Sequence, residues 1–166
     1  MWNFQASGTE LNRKAQSATP LEILSFHASD LDPLYAIDQE CFPPGIAYSR
    51  SELARFIRHR KAKTWVAHSE DKIVGFLILE CEPQQVGHIV TIDVIENKRG
   101  SGIGSALMNT TEAWAQSQNL RLIYLETADD NRTAQIFYTS RGYAKVEEIA
   151  NYYGNGQTAW VMVKWL

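Results

Sequence analysis

Ile92-Asp93-Val94-Ile95-Glu96-Asn97-Lys98-Arg99-Gly100-Ser101-Gly102-Ile103-Gly104-Ser105-Ala106-Leu107 reads as the end of a strand, a glycine-rich turn and the start of a helix. Val90, Ile92 and Val94 recur at every second residue and predict one face of an extended segment. From Ile103 onward the spacing lengthens, and Ile103, Ala106, Leu107 and Trp114 fall on one helical stripe. Between the two periods stand Arg99 and glycines at 100, 102 and 104. Glycine has no Cβ, so it admits positive φ and lets a ligand approach the main chain. The first N–H groups of a helix have no intrahelical partner. Such a turn predicts an anion site, with phosphate as the usual occupant. A tight turn without a ligand would use the same glycines; Arg99 favours the anion, because guanidinium pairs with phosphate oxygens. A Rossmann G-x-G-x-x-G would need glycine at 105 or 107, where Ser105 and Leu107 stand, and the P-loop pattern is absent.

The chain of 166 residues is long enough for one domain with a real core, expected over 21–166 behind a polar leader at 1–20. A 45% apolar and 21% charged composition is that of a soluble globular protein. The net charge of −3 argues against a general affinity for nucleic acid or an anionic membrane. Arg55, Arg58, Arg60, Lys61 and Lys63 do cluster, in the manner of a solvated helix end. Cys41 and Cys81 lie far apart with no C-x-x-C spacing, which predicts reduced thiols and a cytoplasmic location. His27, His59, His68 and His88 form no metal-ligand spacing, so no metal is expected. No apolar run reaches the length of about 18 residues that a membrane span needs, and the first residues lack a signal-peptide core.

In chain order, Leu21–Phe26 alternates as a first strand. Ser29 or Asp30 can cap a helix striped by Leu34, Ile37 and Cys41, with Pro33 in its first turn. After an aromatic loop over Phe42–Tyr48, Ser49 and Glu52 make a capping box for a second helix. Lys63–His68 and Ile73–Glu82 predict a hairpin, and Val86–Ile95 a fourth strand feeding the glycine turn. The third helix runs to about Ser117, with Asn119 as its C-terminal cap. Arg121–Thr127 is a fifth strand. A short helix carrying Ala134, Phe137, Tyr138 and Arg141 on one face follows, stopped by Gly142. Tyr143–Ile149 and Thr158–Leu166 close the chain around a Gly154-Asn155-Gly156 turn. This order predicts an α/β (α+β) fold: a mixed, mostly antiparallel sheet of about seven strands with helices on both faces. Trp160, Trp165 and the last strand stand either at a dimer edge or inside, which leaves monomer and homodimer both open.

Arg99, Gly102 and Gly104 meet the pattern Gln/Arg-x-x-Gly-x-Gly/Ala, and Asn131 precedes a helix ending Tyr138-Thr139-Ser140-Arg141-Gly142-Tyr143. Both motifs, at this separation, resemble the GNAT superfamily of N-acetyltransferases over roughly residues 21–166. Within it the chain is most similar to ribosomal-protein alanine acetyltransferases, which modify protein N-termini. The shared stretches are Ile37–Pro43, Tyr48-Ser49, Leu125-Glu126 and Asn151–Tyr153. It departs from them in having Thr127-Ala128 after Leu125-Glu126, and Ala47 ahead of Tyr48-Ser49.

The resemblance implies acetyl-CoA as cofactor. Its pyrophosphate would lie on the amides of Gly100, Ser101, Gly102, Ile103, Gly104 and Ser105 beside Arg99. Its pantetheine would run along the main chain of Ile92, Asp93 and Val94, with Asn131 and Tyr138 toward the thiol. The resemblance also implies Glu126 as base, directly or through a water, and Tyr138 as acid toward sulfur. His88 and Asp93 are rival bases, while Glu126 could instead cap a turn and Tyr138 merely pack. The acceptor pocket would come from Phe42–Tyr48 and Tyr152–Gln157, chiefly Phe42, Tyr48, Tyr152 and Tyr153. The expected reaction is direct acetyl transfer to a primary amine, a protein N-terminus or a small molecule. An acyl-CoA-binding sensor without catalysis is the alternative.

Overall fold

The computed structural model describes residues 20–166; the predicted leader lies almost wholly outside them. The elements are β1 (Glu22–Ser25), α1 (Leu31–Cys41), α2 (Arg50–Arg58), β2 (Ala62–Ser69), β3 (Lys72–Glu82) and β4 (Val86–Val94). Then follow α3 (Ile103–Ser117), β5 (Leu122–Ala128), α4 (Arg132–Ser140), β6 (Ala144–Ile149) and β7 (Ala159–Trp165). The strands form one sheet in the order β1-β2-β3-β4-β5-β7-β6. Every pairing is antiparallel except that of β4 with β5. β7 is interior, so the last strand is no dimer edge; the edges are β1 and β6.

Helices cover both faces, as the alternation of apolar residues requires. On one face, Leu34 and Ile37 of α1 and Leu53 and Ile57 of α2 pack on Val66, Phe76 and Ile78. On the other, Leu107, Met108 and Ala115 of α3 and Tyr138 of α4 pack on Leu77, Leu79, Ile123 and Leu125. Burying each such leucine contributes about 1.5–3 kcal/mol. Local signals act where expected: Ser49 Oγ accepts from Glu52 N–H while the Glu52 carboxylate accepts from Ser49 N–H. Asn119 follows α3 with φ +58, a left-handed stop. The first cap differs. His27 Nδ1 accepts from Ser29 N–H and the Asp30 carboxylate accepts from His27 N–H, making a short turn ahead of α1.

Two irregularities open the sheet. In β4 the register slips: Thr91 faces Ile78 and Ile89 faces Leu79, so Val90 is an unpaired bulge. The predicted shared face of Val90, Ile92 and Val94 is therefore broken. Val90 packs with the α1–α2 cluster, whereas Ile92 and Val94 pack with the α3 cluster. The second irregularity is that β4 and β5 pair only through Val86–Leu122, Gly87–Ile123 and His88–Tyr124. Beyond His88 the two strands part.

Candidate active site

The glycine turn lies at the open end of that fork. Gly100 and Gly102 have φ of +75° and +91°, a region that costs other residues about 1–2 kcal/mol. A Cβ on either would meet nothing within 4 Å, so the turn offers its main chain to an approaching group. Gly104 differs: it lies inside α3 without a positive φ, and a Cβ there would make ordinary van der Waals contact with the Phe137 ring of α4 at 3.5 Å. Gly102 is the N-cap of α3, and the first return bond is Ala106 N–H to Gly102 carbonyl at 2.9 Å. The N–H groups of Ile103, Gly104 and Ser105 are thus without intrahelical acceptors at the positive end of a 15-residue helix. Arg99 Nε donates to the Val94 carbonyl at 2.9 Å, which fixes an exposed guanidinium beside the turn. Ser101 Oγ donates to the Lys98 carbonyl at 2.5 Å.

Ile95 N–H bonds to Val74 on β3. Main-chain polar groups alternate along a strand, so those of Ile92 and Val94 turn the other way, into the gap left by β5. An extended chain carrying amides can pair there, ending with a phosphate on the turn.

At the vertex of the fork, His88 Nε2 lies 2.8 Å from Glu126 Oε2. His88 stacks on Tyr124, with centroids 4.4 Å apart and planes within 4°. Tyr124 O–H donates to Glu82 at 2.8 Å, and the same carboxylate is 4.0 Å from His88 Nδ1. The charge of Glu126 reaches Tyr152, Tyr153 and Tyr48. Burial, with these carboxylates, pushes the Tyr48 and Tyr153 hydroxyls up to about 12 and Tyr152 higher. Tyr48 O–H donates to the carbonyl of bulged Val90 at 3.4 Å. Phe42 is the C-cap of α1, at the start of the loop that leads to Tyr48. Tyr138 is 7% exposed between Phe137 and Tyr143, and burial raises its hydroxyl far above the usual phenol range. Asn131 caps α4, accepting from Ala134 N–H at 3.1 Å. A carboxylate–imidazole pair can take a proton from an amine, and a phenol that keeps its proton can donate one.

Residues 31–143 match the Acetyltransferase (GNAT) family. The chain belongs to that family and is an N-acetyltransferase. Among its relatives is the N-alpha-acetyltransferase of Sulfurisphaera tokodaii, 27% identical over 164 residues, 90% of this chain and 95% of that one. The structure of Ard1 from Thermoplasma volcanium matches with a TM-score of 0.81 at 25% identity, over 88% of this chain and 97% of that one. The ribosomal-protein-S18-alanine N-acetyltransferase of Escherichia coli shares the fold with a TM-score of 0.79 at 21% identity, over 88% and 94%.

The side chain of Asp93 points away from the gap between β4 and β5. It is 1% exposed and faces α1, not the cofactor gap, so of this residue only the main chain borders the fork. His88 and Glu126, rival bases on the sequence alone, are in contact. Glu82, Tyr124 and Asp38 join them without standing in either motif. Tyr124 and Glu126 stand two apart on β5 and so share a face, which is a readable signal; the reach of Glu82 to His88 depends on a hairpin register that no local pattern carries. Among the described residues no group of ligands suits a metal, and no helix is long and apolar enough to cross a membrane.

Proposed function

We propose that the protein transfers an acetyl group from acetyl-CoA to a primary amine, with protein N-terminal α-amines as the preferred acceptors. The carrying observation is the 2.8 Å contact of His88 with Glu126 at the point where β4 and β5 part. The open space at Gly100 and Gly102 and the free amides that start α3 suit a pyrophosphate, with Arg99 and Ser101 flanking it. The main chain of Ile92 and Val94 suits pantetheine, and Asn131 and Tyr138 border its thiol end. Bound there, acetyl-CoA would supply an acyl group activated as a thioester.

The chain's residues have three tasks. Glu126, supported by His88, takes the proton that the amine must lose. Tyr138 donates its hydroxyl proton toward the departing sulfur. Main-chain N–H groups at the β4 edge polarise the carbonyl oxygen. Phe42, Tyr48, Tyr152 and Tyr153 wall the acceptor side. An α-amine, with a pKa near 7.8, is far more often neutral at pH 7 than a lysine near 10.4, so this modest base suits it. Two free, half-buried thiols suit a reducing cytoplasm.

The test is to incubate the protein with acetyl-CoA and three acceptor sets, and to follow free thiol. The sets are peptides with free N-termini, the same peptides blocked but carrying lysine, and small aromatic or aliphatic amines. Turnover confined to the first set supports the reading. Turnover with small amines alone moves the acceptor class, and tight acetyl-CoA binding with no turnover leaves an acyl-CoA sensor.

A further inference from the structure

Where β4 and β5 part, three neighbouring strands gather more than the His88–Glu126 pair. Tyr124 of β5 stands in register with His88 of β4. Their rings are 4.4 Å apart, with planes within 4°. From there Tyr124 reaches across β4 and donates its O–H to Glu82 Oε1 of β3 at 2.8 Å. The same Oε1 lies 4.0 Å from His88 Nδ1, whereas Glu126 Oε2 lies 2.8 Å from His88 Nε2. The imidazole thus stands between two carboxylates, one within hydrogen-bond reach and one outside it. A third, Glu80, is directly across from His88 on β3, but it is taken by His59 at 2.8 Å.

We propose that Tyr124 is a positioning residue for acetyl transfer: its hydroxyl occupies Glu82, so that the ring proton of His88 goes to Glu126 and fixes that carboxylate for the acceptor amine. This deepens the acetyl-transfer reading and rests on it, except for the location of the ring proton.

A neutral imidazole has a single N–H, so the carboxylate that takes it leaves the other nitrogen as a lone pair. Glu82 accepts the phenol proton and stays at 4.0 Å. Glu126, whose side chain is 13% exposed, receives the charge-assisted bond from Nε2. The stack holds the ring plane, and the two carboxylates set which edge faces which. In the reaction an N–H bond of the amine breaks and its proton passes to Glu126. The electron pair stays on nitrogen for the attack, and His88 keeps its own proton. Burial, with the hydrogen bond and charge of Glu82, pushes the Tyr124 hydroxyl far above the usual phenol range, so it stays a donor. Without that O–H, the half-exposed Glu82 side chain would turn to Nδ1 and draw the ring proton away from Glu126.

Tyr124→Phe tests this, because phenylalanine keeps the stack and loses only the hydroxyl. Its kcat should fall about tenfold, the size of one hydrogen bond to a charged group, with KM for acetyl-CoA and for the amine unchanged. Adding Glu82→Gln to Tyr124→Phe removes the competing charge and should restore kcat to within about twofold of wild type, a rescue that a merely structural tyrosine would not show. Nitrogen NMR of the His88 ring, assigned by its loss in His88→Ala, gives a reading free of catalysis. With the ring neutral, the proton should sit on Nε2 in the wild type, move toward Nδ1 in Tyr124→Phe and return in the double variant. A proton that stays on Nε2 in Tyr124→Phe overturns the competition. A proton that moves while kcat holds overturns the link to acetyl transfer, and so does a loss of kcat that Glu82→Gln leaves unrepaired. If the wild type acetylates no amine, the functional reading fails, and the NMR signals still decide where the ring proton lies.

Discussion

Replacing Gly102 by alanine separates the conformational role of a glycine from its role as a space for ligand. At φ +91° alanine pays about 1–2 kcal/mol in backbone conformation. Its methyl touches no protein atom, since nothing lies within 4 Å of that position, so no packing cost adds to this. Gly45, in the loop between α1 and α2, is a matched control with φ +90° and the same empty surroundings. Both variants should lose similar stability, a fall in Tm of roughly 2–8 °C for a domain of this size. Only Gly102→Ala puts a methyl group where a pyrophosphate would approach the amides of α3. Losing one hydrogen bond to a charged group, roughly 1.5–3 kcal/mol, weakens binding about 10- to 100-fold. Calorimetric titration with coenzyme A, beside thermal melts of both variants, gives the two quantities separately. Equal coenzyme A affinity in Gly102→Ala and Gly45→Ala would refute the placement of the phosphate. Gly102→Val, with a larger side chain, should abolish binding.

Tyr138→Phe should lower kcat about 10²-fold by removing the proton donor. Its melting temperature should stay near wild type, since the hydroxyl makes no hydrogen bond among the described residues; unchanged kcat with chemistry rate-limiting would take Tyr138 out of the reaction. Glu126→Gln keeps the shape of the His88 contact but not its basicity, so kcat should fall about 10²-fold or more and recover partly as pH approaches the amine pKa. A pH-rate profile measures this, and a parallel profile in wild type and variant contradicts it. Stability carries a sign that can be checked. The carboxyl of Asp93 titrates near 4 when unfolded and about 8 when folded, so the folded chain binds more protons between those values. Its contribution is full at low pH and declines as pH rises to about 8. Tm of the wild type relative to Asp93→Asn should therefore drop across pH 5–8 and level above it.

Much of the architecture is legible in short windows of sequence. The change of period at Ile103, the glycines at 100 and 102, the Ser49–Glu52 cap and the hairpin turns need only a few neighbouring residues to act. Steric limits on φ and the pairing of helix-end amides are local, so local sequence carries them. The catalytic candidates were legible as types at positions, Glu126 on a strand and Tyr138 on a short helix, because their motifs have fixed spacing.

Only the tertiary structure decided which of these residues meet. The bulge at Val90 shifts the side chains beyond it to the opposite face, so Thr91 and Asp93 turn toward α1 while Ile92 and Val94 turn toward α3. The register of β3, β4 and β5 brings Glu82, His88, Tyr124 and Glu126 into one cluster. Packing of α1 on the sheet buries Asp38 and Asp93, fifty-five residues apart along the chain, and leaves each with a buried oxygen that has no partner among the described residues. A strand alternates with a period of two, so a single inserted residue reassigns every face that follows, and no window of sequence records where the neighbouring strand will place its partner.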